Sequence, residues 1–248
     1  MTGSYRLERS RSFGANAELY DRLRPGYPRR ALDALLPEDA RRVADVGAGT
    51  GKLTAALLAR GLEVVAVEPD DAMRAVLISR IPEADIRAGQ AEALPLQDAS
   101  VDAVLFAQSW HWVDSERGAG EAARVLRGDG TLAMLWNLYD DRVPWVGQLA
   151  HITAGDAGVS EHEDTPSVTG FGPGSRVDVP WRQDLTPDQL VELVRTWSTV
   201  STRSAAERDD VLSAVRELLS GHPAVAGRAR IGLPHTCSTR AYRRLTND

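Results

Sequence analysis

Cysteine is nearly absent from this chain of 248 residues, since Cys237 is the only one. A single cysteine can build neither an intrachain disulfide nor a cysteine-based metal cluster. Long apolar runs are missing as well, because no stretch approaches the roughly 20 apolar residues that a membrane span requires. Residues 1–11 are polar and lack the apolar core of a secretory signal. We therefore expect a cytoplasmic protein that binds no metal and no membrane.

The chain also lacks an excess of positive charge. Its 29 basic and 35 acidic residues give a formal net charge of -6 at pH 7, and the basic residues form no run. A surface that binds nucleic acid usually shows a basic patch, so we expect no nucleic-acid partner. The length fits one large α/β domain with a modest cap, and it leaves the oligomeric state open.

Short apolar runs alternate with helical stretches from residue 41 onward. The predicted strands cover residues 43–46, 63–67, 85–88, 101–106 and 131–136. Their length and lack of polar alternation indicate strands that are buried on both faces of a parallel sheet. Strand–helix alternation of this kind implies right-handed crossovers. The prediction is therefore an α/β fold with a doubly wound, mostly parallel sheet.

Further elements are predicted on both sides of this region. Residues 29–36 should form a short helix, and residues 153–175, rich in Gly, Ser, Thr and acidic residues, should form a loop. Thr186 and Ser204 each begin a capping-box sequence, so a helix is expected after each of them. Residues 229–242 are predicted to form a last strand.

The most informative segment is a glycine-rich turn that follows the first predicted strand. Residues 45–52 read Asp-Val-Gly-Ala-Gly-Thr-Gly-Lys. Glycines allow the backbone to approach a ligand closely, and the start of the following helix offers unpaired N–H groups. In an open α/β sheet this end of the strand is where ligands bind. We expect a bound ligand here, and a tight connection without one is the alternative.

Two common ligands of such turns do not fit. A phosphate-binding P-loop needs its first glycine at the position of Val46 and a Ser or Thr at the position of Leu53. A dinucleotide fingerprint needs its third glycine where Lys52 stands. Both readings are therefore disfavoured.

Glu68 lies at the end of the second predicted strand, 17 residues beyond Gly51. A carboxylate at this position can accept hydrogen bonds from both hydroxyl groups of an adenosine ribose. The alternative is an acidic cap on the next helix, which Asp70 or Asp71 would provide more naturally. We favour ribose binding for Glu68.

The pattern Asp-x-Gly-x-Gly-x-Gly of residues 45–51 resembles motif I of class I S-adenosylmethionine-dependent methyltransferases. Residues 89–95, Gly-Gln-Ala-Glu-Ala-Leu-Pro, look like the loop that borders the adenine in these enzymes, although relatives often have Asp at the position of Gln90. The resemblance covers residues 41–137 and, more weakly, residues 13–28. Within the family the chain looks most like the small-molecule branch that includes trans-aconitate methyltransferases.

This resemblance implies a fold, a cofactor and a set of binding residues. The expected fold is the family's seven-stranded Rossmann-like sheet with helical cap elements, and the expected cofactor is S-adenosylmethionine, whose product is S-adenosylhomocysteine. The resemblance also implies a division of the chain into a helical cap segment (1–40), a cofactor-binding core (41–137), and substrate-cap helices with final strands that complete the same domain (138–248). The implied cofactor-binding residues are Tyr20, Asp45, Gly47, Ala48, Gly49, Gly51, Glu68, Pro69, Gln90, Ala91, Glu92 and Gln108.

The acceptor side is expected just beyond the fourth strand, where relatives place cofactor and substrate contacts. His111 is the candidate general base, because a histidine titrates near neutral pH. Its alternative role is packing between two tryptophans, and an ionised carboxylate acceptor would need no base. Trp110, Trp112 and Trp136 are the candidate acceptor-binding residues, with the hydrophobic core as their alternative place. His235 and Arg240 are further candidates of lower weight.

The predicted function is transfer of a methyl group from S-adenosylmethionine to a small-molecule acceptor by in-line displacement. The acceptor group, a carboxylate, hydroxyl, amine or carbon nucleophile, is left open. One alternative is a non-catalytic protein that binds the cofactor or its product. A weaker alternative is a nicotinamide-dependent oxidoreductase, which the missing third glycine disfavours.

Overall fold

Seven strands form a single sheet in the computed structural model, which describes residues 23–154 and 167–245. They are β1 (Arg42–Val46), β2 (Glu63–Val67), β3 (Asp85–Arg87), β4 (Val101–Ala107), β5 (Leu126–Tyr139), β6 (Ser175–Leu185) and β7 (Ile231–Arg243). Their order across the sheet is β3-β2-β1-β4-β5-β7-β6. Strands β1 to β5 are parallel, whereas β7 runs antiparallel to β5 and β6. The predicted mostly parallel, seven-stranded α/β fold is confirmed.

Helices cover both faces of this sheet. They are α1 (Arg29–Asp33), α2 (Lys52–Leu58), α3 (Asp71–Arg80), α4 (Ser115–Val125), α5 (Pro144–Ala154), α6 (Pro187–Arg195), α7 (Ser198–Ser201) and α8 (Ala205–Gly221), with a 3-10 turn at Trp110–Trp112. Apolar residues of α1, α2 and α3 pack on one face, and those of α4 pack on the other. This two-sided cover explains why the central strands read as continuous apolar runs.

Burial follows the position of each strand in the sheet. In β1 and β2 four consecutive residues of each strand are buried, as predicted. In β3 no residue is buried, so the prediction of burial on both faces is wrong for this strand. The physical reason is that β3 lies at the edge of the sheet and pairs only with β2.

Both predicted capping boxes are present. The Thr186 hydroxyl accepts a hydrogen bond from the Gln189 backbone, and the Gln189 side chain accepts one from the Thr186 backbone. Ser204 and Glu207 make the same reciprocal pair at the start of α8. Helices α5 to α8 pack together in a second apolar cluster beside the ends of β5, β6 and β7. The last strand, predicted for residues 229–242, is β7.

The sequence did not lead us to predict α5, α7, β6 or the 3-10 turn. Strand β6 begins at Ser175, where the expected loop 153–175 ends, and most of its residues are exposed or only half-buried. It lies at the edge of the sheet and contains Pro180. Proline has no N–H to donate to a neighbouring strand, and an edge strand tolerates this because its outer side has no neighbour. Val177, Val179 and Trp181 alternate with polar residues and proline, which is the pattern of a half-buried strand, but Pro180 within the run speaks against a strand.

Strand β5 is longer than predicted, since it extends beyond the expected limits 131–136 to pair with β7 as far as Tyr139 and His235. It therefore passes through the expected division at residue 137. Helix α1 is shorter than the predicted helix 29–36 and ends at Asp33. Within residues 23–154 and 167–245 we find no helix that is long and apolar enough to cross a bilayer.

Candidate active site

The glycine-rich turn lies at the carboxyl end of β1, at the point where α2 begins. Gly47, Gly49 and Gly51 have φ angles of 70°, 58° and 89°, which glycine adopts without strain. The backbone N–H groups of Gly47 and Ala48 donate to the Val67 carbonyl at 2.9 and 3.1 Å. A Cβ atom at Gly47 would lie only 2.7 Å from the Ser109 Cβ. The turn is thus held against the ends of β2 and β4.

Glu68 joins this turn to the end of β2. Its Oε2 accepts a hydrogen bond from the Gly49 N–H at 2.7 Å, and its Oε1 accepts one from the Asp70 N–H at 2.8 Å. The residue is 6% exposed, and this burial raises the pKa of its carboxyl group. Each oxygen keeps a second lone pair for another donor. Asp70, and not Glu68, caps α3.

Asp45 is fully buried beneath the turn. Its Oδ2 accepts a hydrogen bond from the Thr54 hydroxyl of α2 at 2.7 Å. Its Oδ1 and the Thr50 Oγ1 have no hydrogen-bond partner in the described part of the chain. Burial raises the pKa of Asp45 to about 7, and the nearby charge of Glu68 acts in the same direction. Two buried oxygens at the turn are therefore available to a ligand.

A cavity of about 160 Å³ opens beside these residues. Its lining residues are Arg24, Pro25, Tyr27, Asp45, Gly47, Ala48, Gly49, Thr50, Lys52, Leu53, Ala107, Gln108, Asn137 and Tyr139. The glycine turn forms one wall. Residues 24–27 and the end of β5 contribute the rest, because parallel strands end at the same edge of the sheet.

Three long-range hydrogen bonds hold the wall that residues 24–27 contribute. The Asn137 side chain donates to the Gly26 carbonyl at 3.0 Å. The Gln183 side chain donates to the Leu23 carbonyl at 2.8 Å, and Arg24 donates to the Thr196 carbonyl at 2.9 Å. The wall is therefore fastened to β5, β6 and the end of α6.

Gln108 follows β4 and has a positive φ angle of 58°, which is uncommon for a residue with a side chain. Its backbone N–H donates to the Leu135 carbonyl at 2.9 Å, and its side-chain amide donates to the Asn137 carbonyl at 3.2 Å. These bonds hold it in the cavity wall. Unusual backbone conformations of this kind are enriched at functional sites.

Comparison with known proteins bears on this arrangement. Residues 44–134 match the family model described as a methyltransferase domain. An uncharacterized methyltransferase of Mycobacterium tuberculosis is 46% identical over 231 residues, which cover 93% of this chain and 94% of the relative. The chain belongs to the methyltransferase family.

Two further proteins are similar to this methyltransferase over most of its length. A methyltransferase-like protein of Schizosaccharomyces pombe is 31% identical over 90% of this chain and 91% of its own. The structure of a type II methyltransferase from Anaeromyxobacter dehalogenans has a TM-score of 0.68 and 26% identity, covering 90% of this chain and 99% of that one. The resemblance to S-adenosylmethionine-dependent methyltransferases is confirmed, while the trans-aconitate branch stays a prediction.

The cavity brings together four of the predicted cofactor-binding residues at the turn and one beyond β4. These are Asp45, Gly47, Ala48, Gly49 and Gln108 among its lining residues, with Gly51 directly behind them at the start of α2; Glu68 contacts the turn through Gly49. Tyr20 lies outside the described residues. Pro69 is exposed beside Glu68.

The predicted adenine loop of this methyltransferase lies outside the cavity lining. Gln90 is exposed, Ala91 is buried, and Glu92 accepts a hydrogen bond from the Asp114 N–H at 2.8 Å. Arg124 of α4 donates to the Leu94 carbonyl at 3.0 Å and thereby holds the loop to the helix. The loop is fixed in position, and its contact with adenine stays a prediction.

The residues predicted for the acceptor also lie outside the cavity lining. His111 is exposed on the 3-10 turn, with its ring 4.5 Å from that of Trp112, which is half-buried. Trp110 packs edge-on against Phe106 at 4.8 Å, and Trp136 is buried in the same apolar cluster.

Several cavity residues escaped the sequence analysis. They are Arg24, Pro25, Tyr27, Thr50, Lys52, Leu53, Ala107, Asn137 and Tyr139. The weak resemblance of residues 13–28 pointed to the first three without assigning them a role. Asn137 and Tyr139 would have followed from the rule that ligands bind at strand ends, had β5 been predicted to its full length. The described residues contain no cluster of His, Cys, Asp or Glu suited to a metal ion.

The buried Asp45 predicts a pH dependence of stability. Its pKa is about 7 in the folded chain, whereas the ordinary value is 3.8. Between pH 3.8 and 7 the carboxyl group is therefore protonated in the folded chain and ionised in the unfolded chain. The ligand-free methyltransferase should therefore lose stability as the pH rises from 4 to 7, by up to about 4 kcal/mol. Urea unfolding of the wild type and Asp45→Asn at several pH values measures the loss.

Asp45→Asn should not show this loss, because an amide does not titrate. His235 has the opposite effect on stability. Burial lowers its pKa to about 4, so its contribution to the free energy of unfolding increases as the pH rises from 4 to about 6.5. It is present in both proteins, so their difference isolates Asp45. Equal slopes in the two proteins would contradict the assignment.

Proposed function

We propose that this methyltransferase transfers a methyl group from S-adenosylmethionine to a small molecule that binds in the cavity between the glycine turn and Tyr139. The observation that carries the proposal is the cavity itself. One wall holds two buried oxygens without partners, on Asp45 and Thr50, and residues 24–27 contribute to another part of the lining. A cavity of about 160 Å³ suits a small acceptor.

The residues around the turn fit S-adenosylmethionine. The free oxygen of Asp45 suits the ammonium group of its methionine part, and the glycines leave room for the chain that carries the sulfur. Glu68 keeps a free lone pair on each oxygen, which suits the two ribose hydroxyl groups. Gln90, Ala91 and Glu92 would flank the adenine, with Pro69 next to the ribose.

When bound, S-adenosylmethionine supplies a methyl group on a positively charged sulfur that an in-line nucleophile can take. The chain itself has mainly to orient the acceptor and to exclude water, effects worth up to roughly 7–11 kcal/mol. Gln108, Asn137 and Tyr139 lie on the wall that faces the turn and would orient the acceptor. Residues 24–27 would cover both ligands from the solvent.

A general base is needed only if the acceptor carries a proton on its reacting atom. His111 stays the predicted base, and its exposed ring would have to turn toward the cavity to act. Trp110, Trp112 and Trp136 stay predicted acceptor contacts. A carboxylate acceptor would already be ionised and would make His111 dispensable.

The experiment that tests the proposal is calorimetric titration of the purified chain with S-adenosylhomocysteine and, in parallel, with NADH. We expect micromolar binding of S-adenosylhomocysteine and none of NADH. Binding of NADH alone would overturn the proposal.

Methyl transfer is then measured with methyl-labelled S-adenosylmethionine and a panel of small acids, phenols and amines. Transfer to any of them supports catalysis. Cofactor binding without transfer to any small molecule would favour the alternative of a non-catalytic binding protein.

A further inference from the structure

Four aromatic side chains meet behind the cavity and form what we call the aromatic compartment: Tyr139, Trp181, Trp197 and His235. The His235 ring stacks on that of Trp181 at 4.8 Å and lies 4.9 Å from that of Tyr139. The Tyr139 ring is 4.6 Å from that of Trp197. Register explains the arrangement, because Tyr139, His235 and Trp181 occupy one row across β5, β7 and β6.

The polar atoms of this compartment are unsatisfied. His235 is 2% exposed, and neither of its ring nitrogens has a hydrogen-bond partner in the described part of the chain. The Trp197 Nε1, on a residue that is 8% exposed, lacks a partner as well. Buried polar groups are nearly always hydrogen-bonded, and exceptions call for an explanation. Two such residues in one cluster of rings point to a ligand.

The compartment adjoins the proposed active site through Tyr139. Tyr139 lines the cavity and contacts both residues that carry the unsatisfied nitrogens. Asn137, another cavity residue, accepts a hydrogen bond from the Trp181 indole at 3.1 Å. Since Tyr139 is only half-buried, displacement of its ring would join the compartment to the cavity.

The available atoms define the chemistry of the ligand. A neutral imidazole offers one donor and one acceptor, and the indole offers one donor. An ammonium group has only donors and would leave both protein donors unpaired, while a carboxylate would leave the imidazole acceptor unpaired. A buried charge would also lose its hydration. An uncharged hydroxyl group can both donate and accept.

We propose that the aromatic compartment is the acceptor-binding part of the active site and that it takes a planar, uncharged ligand of the phenol class. The hydroxyl of this ligand donates to the unprotonated ring nitrogen of His235 and accepts from the Trp197 indole N–H, while the ring stacks against the aromatic side chains; the protonated nitrogen of His235 takes no part in this contact. His235 is then the residue that determines acceptor specificity. This inference rests on the proposed function, because it names the acceptor of the same site.

The test compares two probes that differ only in the hydroxyl group, 4-ethylphenol and ethylbenzene, titrated into the full chain saturated with S-adenosylhomocysteine. His235→Phe keeps an aromatic ring but removes both nitrogens. We expect this variant to bind 4-ethylphenol at least tenfold more weakly than the wild type and to bind ethylbenzene within twofold of it. Trp197→Phe, which removes one donor, should weaken only 4-ethylphenol, by severalfold.

Tyr242→Phe is the matched control, because the Tyr242 hydroxyl is also buried without a partner but lies outside the compartment. It should bind both probes as the wild type does. In the wild type, 4-ethylphenol should also shift the ¹⁵N resonances of the His235 ring, a readout that does not depend on a variant folding.

The inference is overturned if 4-ethylphenol does not bind a wild type that binds S-adenosylhomocysteine, if the His235 resonances do not move, or if His235→Phe affects both probes equally. Failure of the wild type to bind S-adenosylhomocysteine is a different result, since it overturns the proposed function and this inference with it.

Discussion

Glu68→Ala should weaken the binding of S-adenosylhomocysteine by roughly ten- to a hundredfold. The loss of a hydrogen bond to a charged group costs about 1.5–3 kcal/mol, so the loss of even one of the ribose bonds assigned to Glu68 accounts for this factor. The substitution also leaves the N–H groups of Gly49 and Asp70 without their acceptor. Calorimetric titration of the two proteins measures the loss of affinity.

The control for this variant is Asp70→Ala. Asp70 caps α3 by accepting from the N–H groups of Ala72 and Met73, so its loss should cost about 1 kcal/mol of stability. It should leave the affinity for S-adenosylhomocysteine within about twofold of the wild type, because the ribose is assigned to Glu68. Equal affinities of Glu68→Ala and the wild type would show that Glu68 only supports the turn.

Gly49→Ala and Gly51→Ala should differ in what they change most, although both glycines have a positive φ angle. Gly51→Ala should mainly lower stability, and Gly49→Ala should mainly lower the affinity for S-adenosylhomocysteine. Alanine at either position pays the same conformational cost of about 1–2 kcal/mol. At Gly51 the new Cβ would also overlap the Leu77 side chain and lie 3.0 Å from the Ile81 Cδ1. Such overpacking typically lowers the free energy of unfolding by about 1–3 kcal/mol more. Gly51→Ala should therefore be the less stable of the two variants in thermal and urea unfolding.

At Gly49 a Cβ meets no atom within 4 Å, and the residue lines the cavity. The methyl group therefore takes up space at the cavity wall, and we expect Gly49→Ala to fold but to bind S-adenosylhomocysteine at least tenfold more weakly. Unfolding curves and calorimetry on both variants separate the two effects. Full affinity in Gly49→Ala would mean that the cofactor does not approach this wall.

The parts of the fold that could be predicted are those whose signal is local. The buried runs of β1, β2 and β4 and the capping boxes at Thr186 and Ser204 depend on residues a few positions apart. The turn at residues 45–52 is local too, because its glycine spacing and the Leu53 that follows distinguish it from a P-loop. Strand β6 also has a local signal, the alternation of Val177, Val179 and Trp181 with polar residues, and it was missed because Pro180 interrupts that run.

The cavity was predicted on one side only, for a related reason. Asp45 and the glycines follow each other in sequence, so their proximity needs no knowledge of the fold. Arg24 and Tyr139 reach the cavity only through the packing of distant segments. Trp110 and Trp136 were proposed because they lie near strand ends, but nearness to a strand end does not fix which face a side chain occupies.

The wall formed by residues 24–27 has a consequence for biosynthesis. Its three hydrogen bonds join residues that are 111, 160 and 172 positions apart. Chains leave the ribosome from the amino terminus, and contacts of long sequence separation form late. A nascent chain that ends after β5 but before residue 183 would therefore contain the glycine turn and the Asn137–Gly26 hydrogen bond, but it would lack the other two bonds that hold the wall.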